Sequence, residues 1–358
     1  MDDNFLQSTV KKYLEVVFEK SASDLHLTVG IPPTLRIEGD LFPILHENIL
    51  TPEDMQMHIK SILNGERLER FYVNKEIDFS VELEGKGRFR INAYTQKGSF
   101  AIAARRIPFE IPTIQSLGLP EVCHQFGKLR QGFVLVTGPT GHGKSTTLAS
   151  ILEEINQTRG THIVTVEDPI EFVFEPKKSI VSQREMNTDT HSWSIALRSV
   201  LREDPDVVLI GEMRDYETIA AALTIAETGH LVFATLHTNS ASQSIDRIVD
   251  VFPDEQQDQV KLQLSNVLEA VFSQRLIPGI DGHRAVASEI MLATTAIKTA
   301  VREGKTHQID SIIQTSSDVG MKSLDASLAG LVKEGKISFE TAQSWAQRPE
   351  ELRRYVAR

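Results

Sequence analysis

Apolar and polar positions change rhythm along the chain near residue 120. Before that point the pattern is mixed. LEVVFEK, 14–20, predicts an amphipathic helix, and DLHLTVG and PTLRIEGDLFPIL predict short strands joined by a Pro-Pro turn. TPEDMQMHIKSIL opens with a threonine cap and carries an apolar helical stripe. The segment EIDFSVELEGKGRFRINAYTQKGSFAIAARRI alternates as three strands, with turns at Gly85-Lys86-Gly87 and Gln96-Lys97-Gly98. The three prolines of PFEIPTIQSLGLP then mark a linker.

Beyond residue 120 the apolar runs GFVLVTG, THIVTVED, DVVLIGE and HLVFATLH alternate with helical segments. Nearly continuous apolar strands predict a parallel sheet covered on both faces. After about residue 291 the pattern is helical to the end, as in TTAIKTAVREGK and SLDASLAGLVKEGK. The expected division is an N-terminal domain at 1–107, a linker at 108–119, an α/β core at 120–290 and a helical region at 291–358.

Composition narrows the function classes. The 358 residues suffice for two domains with separate cores. No run approaches the roughly 18 apolar residues of a membrane-spanning helix, and no signal-peptide pattern opens the chain, so a cytoplasmic location is expected. The single cysteine, Cys123, excludes an intrachain disulfide and a multi-cysteine zinc module. A net charge of -11 argues against a broad nucleic-acid surface.

Candidate chemistry begins at GPTGHGKSTT, 138–147. The spacing G-x-x-x-x-G-K-[ST] is met by Gly138, Gly143, Lys144 and Ser145, between an apolar strand and a helix. Glycines let backbone N–H groups turn toward phosphates, and the helix N-terminus adds partial positive charge. The expected nucleotide-binding residues are Gly138, Pro139, Thr140, Gly141, His142, Gly143, Lys144, Ser145 and Thr146. Lys144 is expected to reach the terminal phosphates and Ser145 to ligate Mg²⁺ beside ATP. His142 is bulky for a variable loop position; it reads as an exposed residue without a role or as a pH-sensitive one near phosphate.

A phosphate loop also needs carboxylates for the metal and the water. DVVLIGEMRD ends its strand with Gly211 where many such enzymes carry Asp, which leaves Glu212 for the metal side. Glu167-Asp168 ends another strand and could orient or deprotonate water, or could simply form a turn or cap. His230 and His237 bracket one strand and point to different ends, which argues against zinc. His237, at the carboxyl end, lies on the ligand side of an open α/β sheet as a sensor of the terminal phosphate.

Taken in order, GPTGHGKS, VTVEDPIEF, DVVLIGEMRD and TGHLVFATLHTN resemble the Walker A motif, acidic box, atypical Walker B motif and histidine box of the secretion ATPase superfamily. Within it, SDLHLTVGIPP, GRFRINAY, SQREMNTDTHSWSIALRSVLREDPD, AIKTAVREGK and GMKSLDASL are similar to the retraction ATPases of type IV pili. The resemblance implies a RecA-like P-loop NTPase core, a smaller N-terminal α+β PAS-like domain and a helical C-terminal region. It also implies a homo-hexameric ring, with nucleotide between the domains and Arg88, Arg90 and Arg105 completing the site. By the same match Glu167 is the catalytic base, Glu212 serves Mg²⁺, and His230, a further nucleotide-binding residue, joins His237 in the histidine box. The implied role is ATP-driven retraction on an inner-membrane pilus platform protein, acting on pilin indirectly and without nucleic acid. Competing readings are a pilus assembly or type II secretion ATPase, a non-hydrolytic ring partner of another motor, and a hexameric helicase. Two departures stand out: His142 replaces a small residue, and AIKTAVREGK differs from the family's AIRNLIREGK.

Overall fold

The computed structural model describes residues 9–37, 39–83, 87–107 and 110–357. The expected turn at Gly85-Lys86 and the start of the expected linker, Pro108-Phe109, lie outside them. Two compact units divide between Glu110 and Ile111.

The first unit is built on an antiparallel sheet of order β3-β2-β1-β6-β5-β4, formed by β1 (Asp24–Thr28), β2 (Thr34–Ile37), β3 (Asp40–Pro43), β4 (Glu76–Leu83), β5 (Gly87–Gln96) and β6 (Ser99–Ile107). All six strands fall in the segments that the alternation marks. Helix α1 (Thr9–Glu19) buries Val10, Tyr13, Leu14 and Val17 in one core with Leu25, Phe89 and Ile91. Helix α2 (Pro52–Ile62) starts at the expected cap: Thr51 Oγ1 accepts from Asp54 N–H, and the Asp54 carboxylate accepts from Thr51 N–H. Helix α3 (Gly65–Asn74) was not expected. Its buried face is little more than Phe71, too sparse a stripe to read by period.

The second unit carries a seven-stranded sheet of order β13-β12-β7-β11-β10-β8-β9. Four strands are the expected apolar runs: β7 (Gly132–Thr137), β8 (His162–Glu167), β10 (Val207–Ile210) and β11 (Leu231–Leu236). Alternate residues serve opposite faces. Phe133 and Leu135 join one core with Leu197 and Ile245, while Val134 and Val136 join another with Leu148 and Ile151. The sheet is therefore covered on both sides, which makes the unit α/β. Strand β9 (Ile180–Glu185) and the antiparallel hairpin of β12 (Leu268–Pro278) and β13 (Arg284–Leu292) were not expected. Strand β12 pairs parallel with β7 and so lies beside the phosphate loop.

The proline-rich stretch behaves differently from a free linker. Ile114 and Leu119 are buried in the second unit's core beside Helix α4 (Val122–Lys128), so from Ile111 onward it belongs to that unit. Helix α5 (Lys144–Thr158) follows the loop, and α6 (Trp193–Val200), α7 (Tyr216–Glu227), α8 (Ala241–Asp250) and α9 (Asp254–Val267) complete the layers. The C-terminal region is helical as expected: α10 (Thr295–Arg302), α11 (Ile309–Thr315), α12 (Leu324–Lys333), α13 (Phe339–Trp345) and α14 (Pro349–Ala357). No described helix is long and apolar enough to cross a membrane.

Candidate nucleotide site

Four strands that are consecutive neighbours in the sheet, β7, β11, β10 and β8, end at the four chemical motifs. All run parallel, so their carboxyl ends lie on one edge, the ligand side of such a sheet. The loop after β7 turns back at Gly138, whose φ is 142° and whose N–H is bonded to Leu236 O at 3.3 Å. A Cβ at Gly138 would stand 2.3 Å from Gln274 O, so only glycine fits that approach. Gly143 has a φ of 80° and leads into α5 with no side-chain cap. The first N–H groups of α5 thus face the loop with the helix dipole behind them, the arrangement that binds anions.

Lys144 is buried and folds back into this loop. Its Nζ donates to Gly138 O at 2.8 Å and Pro139 O at 3.1 Å, and lies 3.4 Å from His237 Nδ1. Burial holds its pKa below the usual lysine value, against the pull of Glu212 and Glu171.

His237 joins three motifs. Its Nδ1 lies 3.2 Å from the Thr140 hydroxyl, and its Nε2 lies 2.9 Å from Glu212 Oε1. An imidazole protonated at Nε2 satisfies both sides. Arg214 Nη2 donates to the other carboxylate oxygen of Glu212 at 2.7 Å. Burial alone would raise the Glu212 pKa, but the Arg214 bond and the electrostatic pull of His237, Arg214 and Lys144 outweigh it, so this carboxylate sits below its ordinary range. It is an anion at neutral pH.

Glu167 is opposite in character. It ends β8 with Thr165 Oγ1 donating to its Oε1 at 2.7 Å and Gln183 Nε2 at 3.3 Å. Burial pushes its pKa up to about 7, against those two bonds and one from the Glu171 backbone, while the Glu171 charge raises it further. A carboxylate balanced near neutrality is suited to taking a proton. Gly211 also has a local reason. A Cβ there would stand 3.2 Å from Glu167 Cα and from Val166 O, so the exit of β10 has little room for the aspartate seen at this position elsewhere.

The remaining expected residues are placed as follows. Ser145 is half-buried in the first turn of α5, and Thr146 follows it. His230 precedes β11 at the end opposite His237, roughly 20 Å away along the strand. Its ring nitrogen is 3.0 Å from both Ile225 O and Thr228 Oγ1, so this unit does not bring it to the phosphate loop. Arg88, Arg90 and Arg105 lie in the first unit. Arg88 and Arg90 are two apart on β5, and Arg90 pairs across the sheet with Arg105, so the register puts all three on one face. Facing arginines repel; Arg105 is held by Asp24 at 2.9 Å and Arg90 lies 3.9 Å from Asp78.

His142 is not a free loop residue. Its Nδ1 accepts from Leu276 N–H at 3.0 Å, and its ring centroid is 5.9 Å from that of Trp345. Sequence reasoning also missed Gln274, Arg214, Thr165 and Gln183. A Ser-Gln pair inside the apolar run LEAVFSQRLIP was the available signal, since buried polar side chains need a reason.

The donor set fits Mg²⁺. The charged Glu212 carboxylate and the Ser145 hydroxyl are hard oxygen ligands, and among the described residues no group of three or more His, Cys, Asp or Glu forms a metal cage. Mg²⁺ at phosphate sites takes only one or two protein oxygens, with phosphates and water supplying the rest.

A family model described as type II/IV secretion system protein matches residues 1–311. The chain belongs to that family. This family member is 50% identical over 334 residues to the type IV pilus retraction ATPase PilT of Pseudomonas aeruginosa, covering 93% of this chain and 96% of that one. It is 46% identical over 322 residues to a twitching motility protein of Neisseria gonorrhoeae, covering 89% and 86%. Among solved structures, the pilus retraction motor PilT with bound ADP matches at a TM-score of 0.90 and 44% identity, over 97% of this chain and 100% of that one. The second unit is thus a RecA-like P-loop NTPase core with a helical C-terminal region, and the first is the smaller PAS-like α+β domain.

Proposed function

We propose that this chain is an ATP-hydrolysing motor that works as a homo-hexamer and drives retraction of a type IV pilus. Half-identity to a retraction ATPase along nearly the whole of both chains carries this reading. In the proposed cycle, the loop N–H groups and the α5 N-terminus hold the phosphates of ATP, and Lys144 leaves its carbonyl partners for the terminal phosphate. Glu167 takes the proton of a water whose oxygen attacks the γ-phosphorus, while the bond to the β–γ bridging oxygen breaks and ADP is released. Ser145 and Glu212 would hold Mg²⁺, which neutralises phosphate charge when bound. His237, placed between Lys144 and Glu212, registers whether the terminal phosphate is present. The motor acts in the cytoplasm at the inner membrane, against a pilus platform protein, and removes pilin without touching nucleic acid.

Arg88, Arg90 and Arg105 are proposed to meet charge on the transferred phosphoryl group, an effect that can reach roughly 10³-fold. An Arg88→Ala/Arg90→Ala chain is expected to lose most turnover. Mixing it with Lys144→Ala chains tests action across subunits: recovery above both parents supports it, and no recovery leaves it unsupported.

Mechanical output is assigned to a different segment. In α10, Ile297, Ala300 and Val301 are buried, whereas Ala296 is exposed. The helix begins only at Thr295, and its buried face starts with Ile297. Arg302 is exposed, and Lys298 lies 3.6 Å from Glu269 in a half-exposed pair of the kind worth about 0–1 kcal/mol. Lys298→Ala/Arg302→Ala is therefore expected to keep ATP turnover within about twofold and to abolish pilus retraction in cells. Parallel loss of both would make the segment structural and remove the assignment.

A further inference from the structure

Gln274 is almost wholly enclosed, and its amide is divided between two parts of the phosphate site. Its Nε2 donates to His142 O at 2.6 Å, and its Oε1 accepts from Thr147 Oγ1 at 2.7 Å. One side chain thus bridges the loop and the first turns of α5. Gln274 also meets the glycines at both ends of the loop. Its carbonyl blocks a Cβ at Gly138, and its Nε2 would stand 3.1 Å from a Cβ at Gly143. His142 supplies a second tether by accepting from Leu276 N–H, two residues further along β12, and turns its ring toward Trp345 of α13. Burial and the charges of Arg275, Lys144 and Arg284 hold this imidazole below its ordinary pKa, so Nδ1 stays available as an acceptor.

A loop with three glycines at positive φ is costly to order. Ordering it before nucleotide arrives removes that cost from binding. We propose that Gln274 is a positioning residue that holds the phosphate loop in its anion-binding shape, with His142 as a second tether that ties the loop to Trp345. The proposal rests on the nucleotide-site reading. It concerns binding more than chemistry, because saturating nucleotide itself orders the loop.

The test compares Gln274→Met and Gln274→Glu with the unsubstituted full-length protein in ADP titration calorimetry and ATP turnover. Methionine keeps the volume and loses both bonds; glutamate keeps an acceptor for Thr147 and sets a carboxylate against His142 O. Each is expected to raise the ADP Kd and the ATP KM by about tenfold or more, while kcat at saturation falls by less than about threefold. His142→Ser provides a separate readout should the Gln274 variants not fold. The chain has two tryptophans, so the signal lost in Trp345→Phe isolates Trp345. That fluorescence is expected to change on ADP binding in the unsubstituted chain, and the change is expected to disappear in His142→Ser. Unchanged Kd and KM in both Gln274 variants, a fall in kcat alone, or an unaltered Trp345 response in His142→Ser would overturn the proposal. If the unsubstituted protein binds no ADP, the nucleotide-site reading itself fails, which is a distinguishable result.

Discussion

Lys144→Ala is expected to abolish ATP hydrolysis, with a loss of at least roughly 10²–10³-fold, while the protein stays folded. The ammonium of this lysine already lies inside the loop, on the carbonyls of Gly138 and Pro139. In the proposed cycle nucleotide exchanges these neutral acceptors for anionic oxygens, which bind a cation more strongly. Alanine leaves the two carbonyls facing a loop that phosphate or water can still enter, so the sheet and its cores are untouched. Circular dichroism and phosphate release on the same preparation check this. Turnover unchanged in a folded variant would remove Lys144 from the mechanism.

Glu167→Gln carries the second large effect. The amide is nearly isosteric and can still accept from Thr165, but it cannot take a proton. Turnover is expected to fall by about 10²–10⁴-fold, the range for loss of a general base, with ATP-analogue binding retained. The burial that raises Glu167 also sets a pH dependence. A base works only when deprotonated, so kcat/KM for the unsubstituted protein is expected to rise with pH and to lose its activity as pH falls through about 7. Glu212 is shifted the opposite way, held below its ordinary range, and stays charged through that window. A flat acid limb, or loss of nucleotide binding in Glu167→Gln, would contradict the assignment.

How much of this was legible beforehand depended on the range of the interactions involved. The four strands that carry the motifs are continuous apolar runs, and the Thr51 cap is a three-residue pattern; both are local and readable. The loop spacing at Gly138–Ser145 is local too. The hairpin of β12 and β13 was missed because short apolar runs fit a helix or a strand equally well until their partner is known. Gln274 escaped for the same reason, since its importance comes from pairing β12 with β7, 136 residues away in the Thr137–Ser273 hydroxyl contact. His142 read as an exposed loop residue because its partners, Leu276 and Trp345, arrive from distant segments. Sheet register likewise decided the arginines. Arg88 and Arg90 were visible as an alternating pair, but only the pairing of β5 with β6 sets Arg105 opposite Arg90. His230 shows the converse: a short motif joined it to His237, and the length of β11 separates them.

Phosphate release by the purified chain, measured together with its assembly size, tests the central claim most directly. The account predicts Mg²⁺-dependent phosphate release from ATP by a six-subunit ring, and loss of that release in a Lys144→Ala ring of the same size. A correctly folded ring that binds ATP and releases no phosphate would contradict it and leave a non-hydrolytic partner of another motor in its place.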